Sequence, residues 1–184
     1  MDFNVYTKDE FDLFLYDLKV GDVLLFKGEG WISKAIMWFS DSEWSHAAIY
    51  AGNGCIYEST ETGVELNSLK TRVNQCERIL VRRYVEFLTD SEIEKLTQKA
   101  TELVYESYDT WQLLGLGLYF LLRKLGIRFS WLVPNNRSKM ICSELVYVLY
   151  LAMGKKLYDD PKTFTPETIK GSKLFYSVCM FLGD

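Results

Sequence analysis

A chain of 184 residues, 48% hydrophobic and 15% aromatic, is long and apolar enough to form one compact globular domain with a sizeable core. The net charge of -4 and the absence of a basic block argue against a nucleic-acid-binding protein. Four cysteines without Cys-x-x-Cys spacing argue against a disulfide scaffold, and a single histidine argues against a structural zinc site.

The N-terminal half predicts helices and the strands of an antiparallel sheet. Residues 8–18 alternate acidic residues with Phe and Leu at helical spacing, which is typical of an amphipathic helix. A second helix is predicted over residues 31–39, where apolar side chains recur on one side. Short apolar runs bounded by turn residues predict strands over residues 23–26, 45–51, 55–59, 63–66 and 78–84.

A longer helix is predicted in the middle of the chain, followed by an unusually apolar stretch. Thr89 and Glu92 form a capping-box pattern ahead of apolar residues at helical spacing, so the helix is predicted to begin there. The apolar stretch covers about residues 113–133 and is interrupted by Arg123, Lys124 and Arg128. Its longest uncharged run, residues 110–122, is too short to span a bilayer.

The end of the chain predicts a further short helix and a last strand. Thr165 is a suitable N-cap for a helix with Pro166 at its first position, and residues 174–181 form an apolar strand pattern. All of these elements together predict a single α+β domain over residues 1–184, in which a small antiparallel sheet packs against helices.

The first residues predict a cytoplasmic location. Residues 1–10 are acidic and lack the basic segment and apolar core of an export signal. The sparse cysteines fit a reducing compartment as well.

Cys142 is the first candidate functional residue. It follows a polar, turn-rich run and precedes Leu145, Val146 and Leu149, whose spacing places them on one face of a helix. A cysteine in the first turn of a helix lies beside unpaired N–H groups and the positive end of the helix dipole, which favour a nucleophilic thiolate. The alternative is a packed core thiol, because cysteine is among the most buried residue types.

His46 and Glu58 are the candidate partners of that cysteine. A cysteine nucleophile needs a base, and His46 is the only histidine. Glu58 reaches the same sheet face only in one hairpin register: a two-residue turn would pair Ile49 with Glu58 and separate the two side chains, whereas a three-residue turn at residues 52–54 would pair Ala48 with Glu58. The alternatives are a partly buried structural histidine and a surface acid on an edge strand.

Several ordered segments resemble the circularly permuted NlpC-type papain-like hydrolases of the YiiX-like branch. The clearest is Ile-Cys-Ser-Glu-Leu-Val at residues 141–146. The other similar segments are residues 21–26, 33–36, 45–50, 57–59, 108–111 and 165–172. The resemblance implies a papain-like fold in permuted order, with Cys142 as nucleophile, His46 as base, Glu58 as the third member and Tyr108 supporting the oxyanion site. A core tyrosine is the alternative for Tyr108.

The function that this resemblance implies is hydrolysis of an amide or ester bond through an acyl-enzyme, without a metal or organic cofactor. The expected substrate is a peptide, a lipid-bearing amide or another small molecule, and no nucleic acid is expected. Relative to that family, the apolar residues at about 113–133 form an insertion between the Tyr108 segment and Cys142. A peripheral contact of this insertion with a membrane is an open expectation. The insertion also motivates a second hypothesis, a lipid-directed thiol acyltransferase related to lecithin:retinol acyltransferase. A third hypothesis is a binding relative without turnover.

Overall fold

A computed structural model describes residues 3–28, 37, 42–60, 62–105, 142–158 and 165–183. The strands are β1 (Asn4–Tyr6), β2 (Val23–Gly28), β3 (His46–Gly52), β4 (Cys55–Ser59), β5 (Val64–Ser68), β6 (Cys76–Tyr84) and β7 (Phe175–Leu182). The helices are α1 (Phe11–Asp17), which follows a 3-10 turn at Lys8–Glu10, α2 (Leu69–Val73), α3 (Asp90–Tyr105), α4 (Cys142–Ala152) and α5 (Pro166–Gly171).

The seven strands form one sheet in the order β1-β7-β6-β2-β3-β4-β5. Neighbouring strands are antiparallel except β1 and β7, which run parallel. The α+β class is therefore confirmed. The expectation of a small, wholly antiparallel sheet is wrong, because β1 was not predicted and joins an edge of the sheet as a parallel strand.

Most predicted elements within the described residues are confirmed with small shifts of their ends. The capping box at the start of α3 is present: the N–H of Thr89 donates to Oε2 of Glu92 at 2.8 Å, and the N–H of Glu92 donates to Oγ1 of Thr89 at 3.3 Å. Thr165 caps α5 by accepting from the N–H of Thr168. The predicted helix over residues 31–39, apart from Met37, and the predicted insertion lie outside the described residues.

Helices cover both faces of the sheet. Helices α3, α4 and α5 bury Leu96, Leu149 and Ile169 against one face, in a cluster that also contains inward side chains of β2, β3 and β6. Helices α1 and α2 bury Phe14 and Leu69 against the other face. Side chains alternate along each strand, so every central strand contributes to both clusters.

The β3–β4 hairpin has the register that brings His46 and Glu58 together, but its turn is not the predicted one. Ala48 pairs with Glu58, as the three-residue alternative required. However, Gly52 pairs with Cys55, so residues 53–54 alone form the turn, and a register shift between Tyr50 and Gly52 supplies the extra residue. A β-bulge, and not a three-residue turn, therefore pairs Ala48 with Glu58.

The geometry of this hairpin predicts that Gly52→Ala destabilises the fold. Gly52 has φ +93°, which is unfavourable for a side chain, and an added Cβ would lie 3.1 Å from Cγ2 of Val20. We expect a loss of about 1–3 kcal/mol in the free energy of unfolding, measured by urea titration. Gly171→Ala is the matched control, because Gly171 lacks a positive φ and its Cβ would meet nothing within 4 Å. Equal stability of the two variants would contradict the prediction.

Candidate active site

Cys142 is the first residue of α4 and is partly buried. The helix begins there with its apolar side chains directed into the cluster formed by α3, α4 and the sheet. This packing brings the thiol to the start of β3, where the backbone N–H groups of Ala47 and Ser143 donate to the sulfur. The sulfur also shares a hydrogen bond with the ring of His46.

His46 is the first residue of β3, and its side chain is 25% exposed. Its Nε2 lies 2.8 Å from Oε2 of Glu58, which leaves Nδ1 as the ring nitrogen toward the thiol of Cys142. The ring of Phe26 packs beside the imidazole, with 5.8 Å between the ring centroids. The imidazole is therefore held between a carboxylate on one side and a thiol on the other.

Glu58 lies on β4, an interior strand between β3 and β5, and its side chain is 0% exposed. The alternative of a surface acid on an edge strand is therefore wrong. Its Oε1 accepts two hydrogen bonds, from Nε of Arg72 at 2.7 Å and from Nδ2 of Asn67 at 2.9 Å. With His46 on Oε2, this buried carboxylate has partners on both oxygens.

These contacts set the charge states of the three groups. Burial raises the pKa of the Cys142 thiol, but the hydrogen bond and charge of His46 and the two backbone N–H groups outweigh burial and hold that pKa below its ordinary value of 9.0. Burial lowers the pKa of His46, but Cys142 and Glu58 together raise it to about 9. Burial raises the pKa of Glu58, but His46, Arg72 and Asn67 lower it to about 2. These shifts favour a thiolate–imidazolium pair backed by a carboxylate.

The structure brings together three of the four residues singled out in the sequence. Cys142, His46 and Glu58 form one hydrogen-bonded row, whereas Tyr108 lies outside the described residues. Sequence reasoning missed Arg72 and Asn67. A weak signal for Asn67 existed in the strand alternation, because it pairs with Ile56, two positions from Glu58.

No metal centre is evident in this part of the molecule. Among the residues that the structure describes, no group of three or more His, Cys, Asp or Glu side chains is arranged to hold a metal ion. The thiol of Cys142 and the carboxylate of Glu58 beside His46 instead take part in hydrogen bonds with its ring.

The lowered pKa of the Cys142 thiol predicts fast alkylation at mildly acidic pH. At pH 6, iodoacetamide should modify Cys142 faster than Cys55, because a lowered pKa gives a larger fraction of reactive thiolate at that pH. His46→Ala removes the hydrogen bond and the charge, so the rate at Cys142 should fall by about tenfold or more. Peptide-resolved mass spectrometry measures both cysteines in one sample. Equal rates at the two cysteines, unchanged in His46→Ala, would contradict the prediction.

The lowered pKa of Glu58 predicts an acid-sensitive contribution to stability. A carboxyl whose pKa falls from 4.5 to about 2 on folding stabilises the fold above pH 4.5, and this contribution disappears as the pH falls toward 2. The stability advantage of the wild type over Glu58→Gln should therefore shrink between pH 5 and pH 2, by up to about 3 kcal/mol. Urea unfolding of both proteins at each pH measures this difference. A difference that stays constant would show that folding does not lower the pKa of Glu58.

Comparison with known proteins agrees with this architecture. The sequence model of a family described as "Permuted papain-like amidase enzyme, YaeF/YiiX, C92 family" matches residues 17–113. That segment contains His46 and Glu58 and ends before Cys142. A relative named "Probable lipoprotein peptidase YaeF", from Escherichia coli (strain K12), is 34% identical over 93 residues. The match covers 50% of this chain and 34% of that protein, so it spans about a third of the relative's length.

A solved structure shows the same fold over most of the chain. The crystal structure titled as that of metalloprotein yiiX from Escherichia coli O157:H7 has a TM-score of 0.63 and 19% sequence identity to this protein. The similarity covers 88% of this chain and 97% of the other chain. The chain therefore belongs to the permuted papain-like amidase family of YaeF and YiiX.

Proposed function

We propose that this protein is a cysteine hydrolase that cleaves an amide or ester bond through Cys142, His46 and Glu58. The observation that carries the proposal is the hydrogen-bonded row from the thiol through the imidazole to a fully buried carboxylate. A nucleophile, a base within hydrogen-bond reach and a group that orients the base are the parts that thiol acyl transfer requires.

In the first half of the reaction, the Cys142 thiolate attacks the substrate carbonyl carbon and the carbonyl π electrons move onto oxygen. N–H groups at the start of α4 stabilise that oxyanion, with Tyr108 as a further predicted contributor. The imidazolium of His46 then donates its proton to the leaving nitrogen or oxygen as the scissile bond breaks. The product is a thioester on Cys142 and a neutral His46.

In the second half, water attacks the thioester while neutral His46 accepts a proton from it. Collapse of the tetrahedral intermediate breaks the carbon–sulfur bond and releases the carboxylic acid. The Cys142 thiolate and the His46 imidazolium are thereby restored. Throughout the cycle Glu58 remains ionised and holds Nε2, so the ring keeps Nδ1 directed toward the sulfur.

The proposed substrates are peptides or acylated, lipid-bearing amides. The name of the relative, "Probable lipoprotein peptidase YaeF", motivates this choice, because a lipoprotein would offer both a peptide amide and an acyl chain. No helix among the described residues is long and apolar enough to cross a membrane. Contact of residues 113–133 with a membrane surface, the single-domain organisation and a cytoplasmic location all stay predictions.

The central prediction is that an acyl group is transferred from substrate to Cys142. We expect lipopeptides and N-acyl amides to leave an adduct of the acyl mass on Cys142, detected by rapid quenching and mass spectrometry, and to release the free acid. Cys142→Ala should abolish both the adduct and turnover, with a loss of at least about a thousandfold in kcat. Cys55→Ala is the matched control and should retain both.

The same assay separates hydrolysis from acyl transfer. With a primary amine added, free acid as the main product supports the hydrolase, and an N-acylated amine as the main product supports the acyltransferase. Undiminished turnover in Cys142→Ala would overturn both assignments. Absence of any adduct across peptide, lipopeptide and amide substrates, with Cys142 reactive toward iodoacetamide, would favour a binding relative.

A further inference from the structure

We propose that Arg72 and Asn67 are positioning residues of this site, which fix one oxygen of Glu58 so that the other stays aligned on Nε2 of His46. The inference rests on the proposed function in assigning Glu58 as the group that orients the base. It goes further in assigning a role to two residues outside the Cys-His-Glu row. Both residues act on the thiol through Glu58, which they contact directly.

The contacts divide the carboxylate into two halves. Oε1 accepts from Nε of Arg72 at 2.7 Å and from Nδ2 of Asn67 at 2.9 Å, while Oε2 lies 2.8 Å from Nε2 of His46. A glutamate side chain has three rotatable bonds, so a single hydrogen bond to the imidazole would leave the carboxylate plane undefined. Two donors on Oε1 fix that plane and thereby the direction of Oε2.

Burial makes this arrangement necessary. The Glu58 side chain is 0% exposed, and an ionised carboxylate is expensive to bury unless charged and hydrogen-bonding partners surround it. Arg72 places the positive charge of a guanidinium against the carboxylate. The positive charge of His46, by contrast, is lost when its proton is transferred to a leaving group. Arg72 therefore keeps Glu58 ionised during the half of the reaction in which His46 is neutral.

Among the described residues, the charged and titratable groups around Glu58 come from four elements. His46 approaches from β3 and Arg72 from α2. Glu65 pairs directly opposite Glu58 on β5 and is a like charge. Nδ2 of Asn67 donates hydrogen bonds to Oε1 of Glu58 and to Oε2 of Glu65, so the amide lies between the two carboxylates. Beyond the ring, Cys142 of α4 completes the set.

The test uses the single histidine of this chain as a probe. In protein without a histidine tag, every imidazole NMR signal belongs to His46. We expect the Nε2–H proton of the wild type to give a downfield, exchange-protected signal. Arg72→Met should broaden or abolish that signal. The alkylation rate of Cys142 falls as the pH is lowered, and this part of the pH profile is called the acid limb. In Arg72→Met the acid limb should move to higher pH by about one unit, so the rate at a pH on that limb falls about tenfold.

Three further variants distinguish the loss of the Arg72 charge from a general loss of structure. Lys70→Met removes a positive charge from the same helix at an exposed position and should behave as the wild type. Arg72→Lys restores the charge without the planar donor and should shift the acid limb less than Arg72→Met. Asn67→Ala should shift it in the same direction. If Arg72→Met does not fold, Arg72→Gln takes its place, and the acid limb should then rise in the order wild type, Arg72→Lys, Arg72→Gln.

The inference is overturned if the folded Arg72 variants keep the Nε2–H signal and an acid limb that coincides with that of Lys70→Met. If the role of Arg72 were purely structural, its substitution would lower the free energy of unfolding and would leave the NMR signal and the acid limb unchanged. Neither readout depends on turnover. Failure of the hydrolase proposal, shown by full activity of Cys142→Ala, is therefore distinguishable from failure of this one.

Discussion

The burial of an ionised glutamate is the constraint on which the candidate site depends. Glu58 is fully buried within a seven-stranded sheet, where an unpartnered charge would cost several kcal/mol. His46, Arg72 and Asn67 offset that cost by occupying both of its oxygens. Glu58 also holds the imidazole of His46, and Cys142 and Glu58 together raise the pKa of that imidazole, so the buried carboxylate links the stability of the sheet to the charge state of the thiol.

That constraint depends in turn on the strand register of one hairpin. Side chains alternate across a sheet, so a shift of one residue between β3 and β4 would move Glu58 to the opposite face and leave His46 without its partner. The register observed arises from a two-residue turn and a bulge beside Gly52, where φ is positive at three successive residues, Gly52, Asn53 and Gly54. The backbone conformation of a turn therefore controls the chemistry of side chains several residues away.

This hierarchy explains which features could be predicted from the sequence. Periodic apolar residues indicate burial directly. The sequence therefore predicted a helix that starts at Cys142, and it predicted β3 and β4 to within one residue at each end. The bulge was not predicted, because two turns with the same Gly-Asn-Gly residues give different registers. Arg72 was missed because its residue type is ordinary on a short helix, and its partner is defined only by tertiary packing. Strand β1 was missed because three residues carry too little periodicity.

The row of hydrogen bonds also joins the two layers of the fold. Cys142 belongs to α4, which packs in the cluster on one face of the sheet, and Arg72 belongs to α2, whose Leu69 and Val73 pack in the cluster on the other face. His46, the first residue of β3, lies between them. The His46 imidazolium can lower the pKa of the Cys142 thiol only when α4 and α2 are both packed against the sheet. The reactivity of Cys142 thus depends on both hydrophobic clusters, and a substitution in either cluster that loosens its helix acts on the thiolate through His46 as well as on the free energy of unfolding.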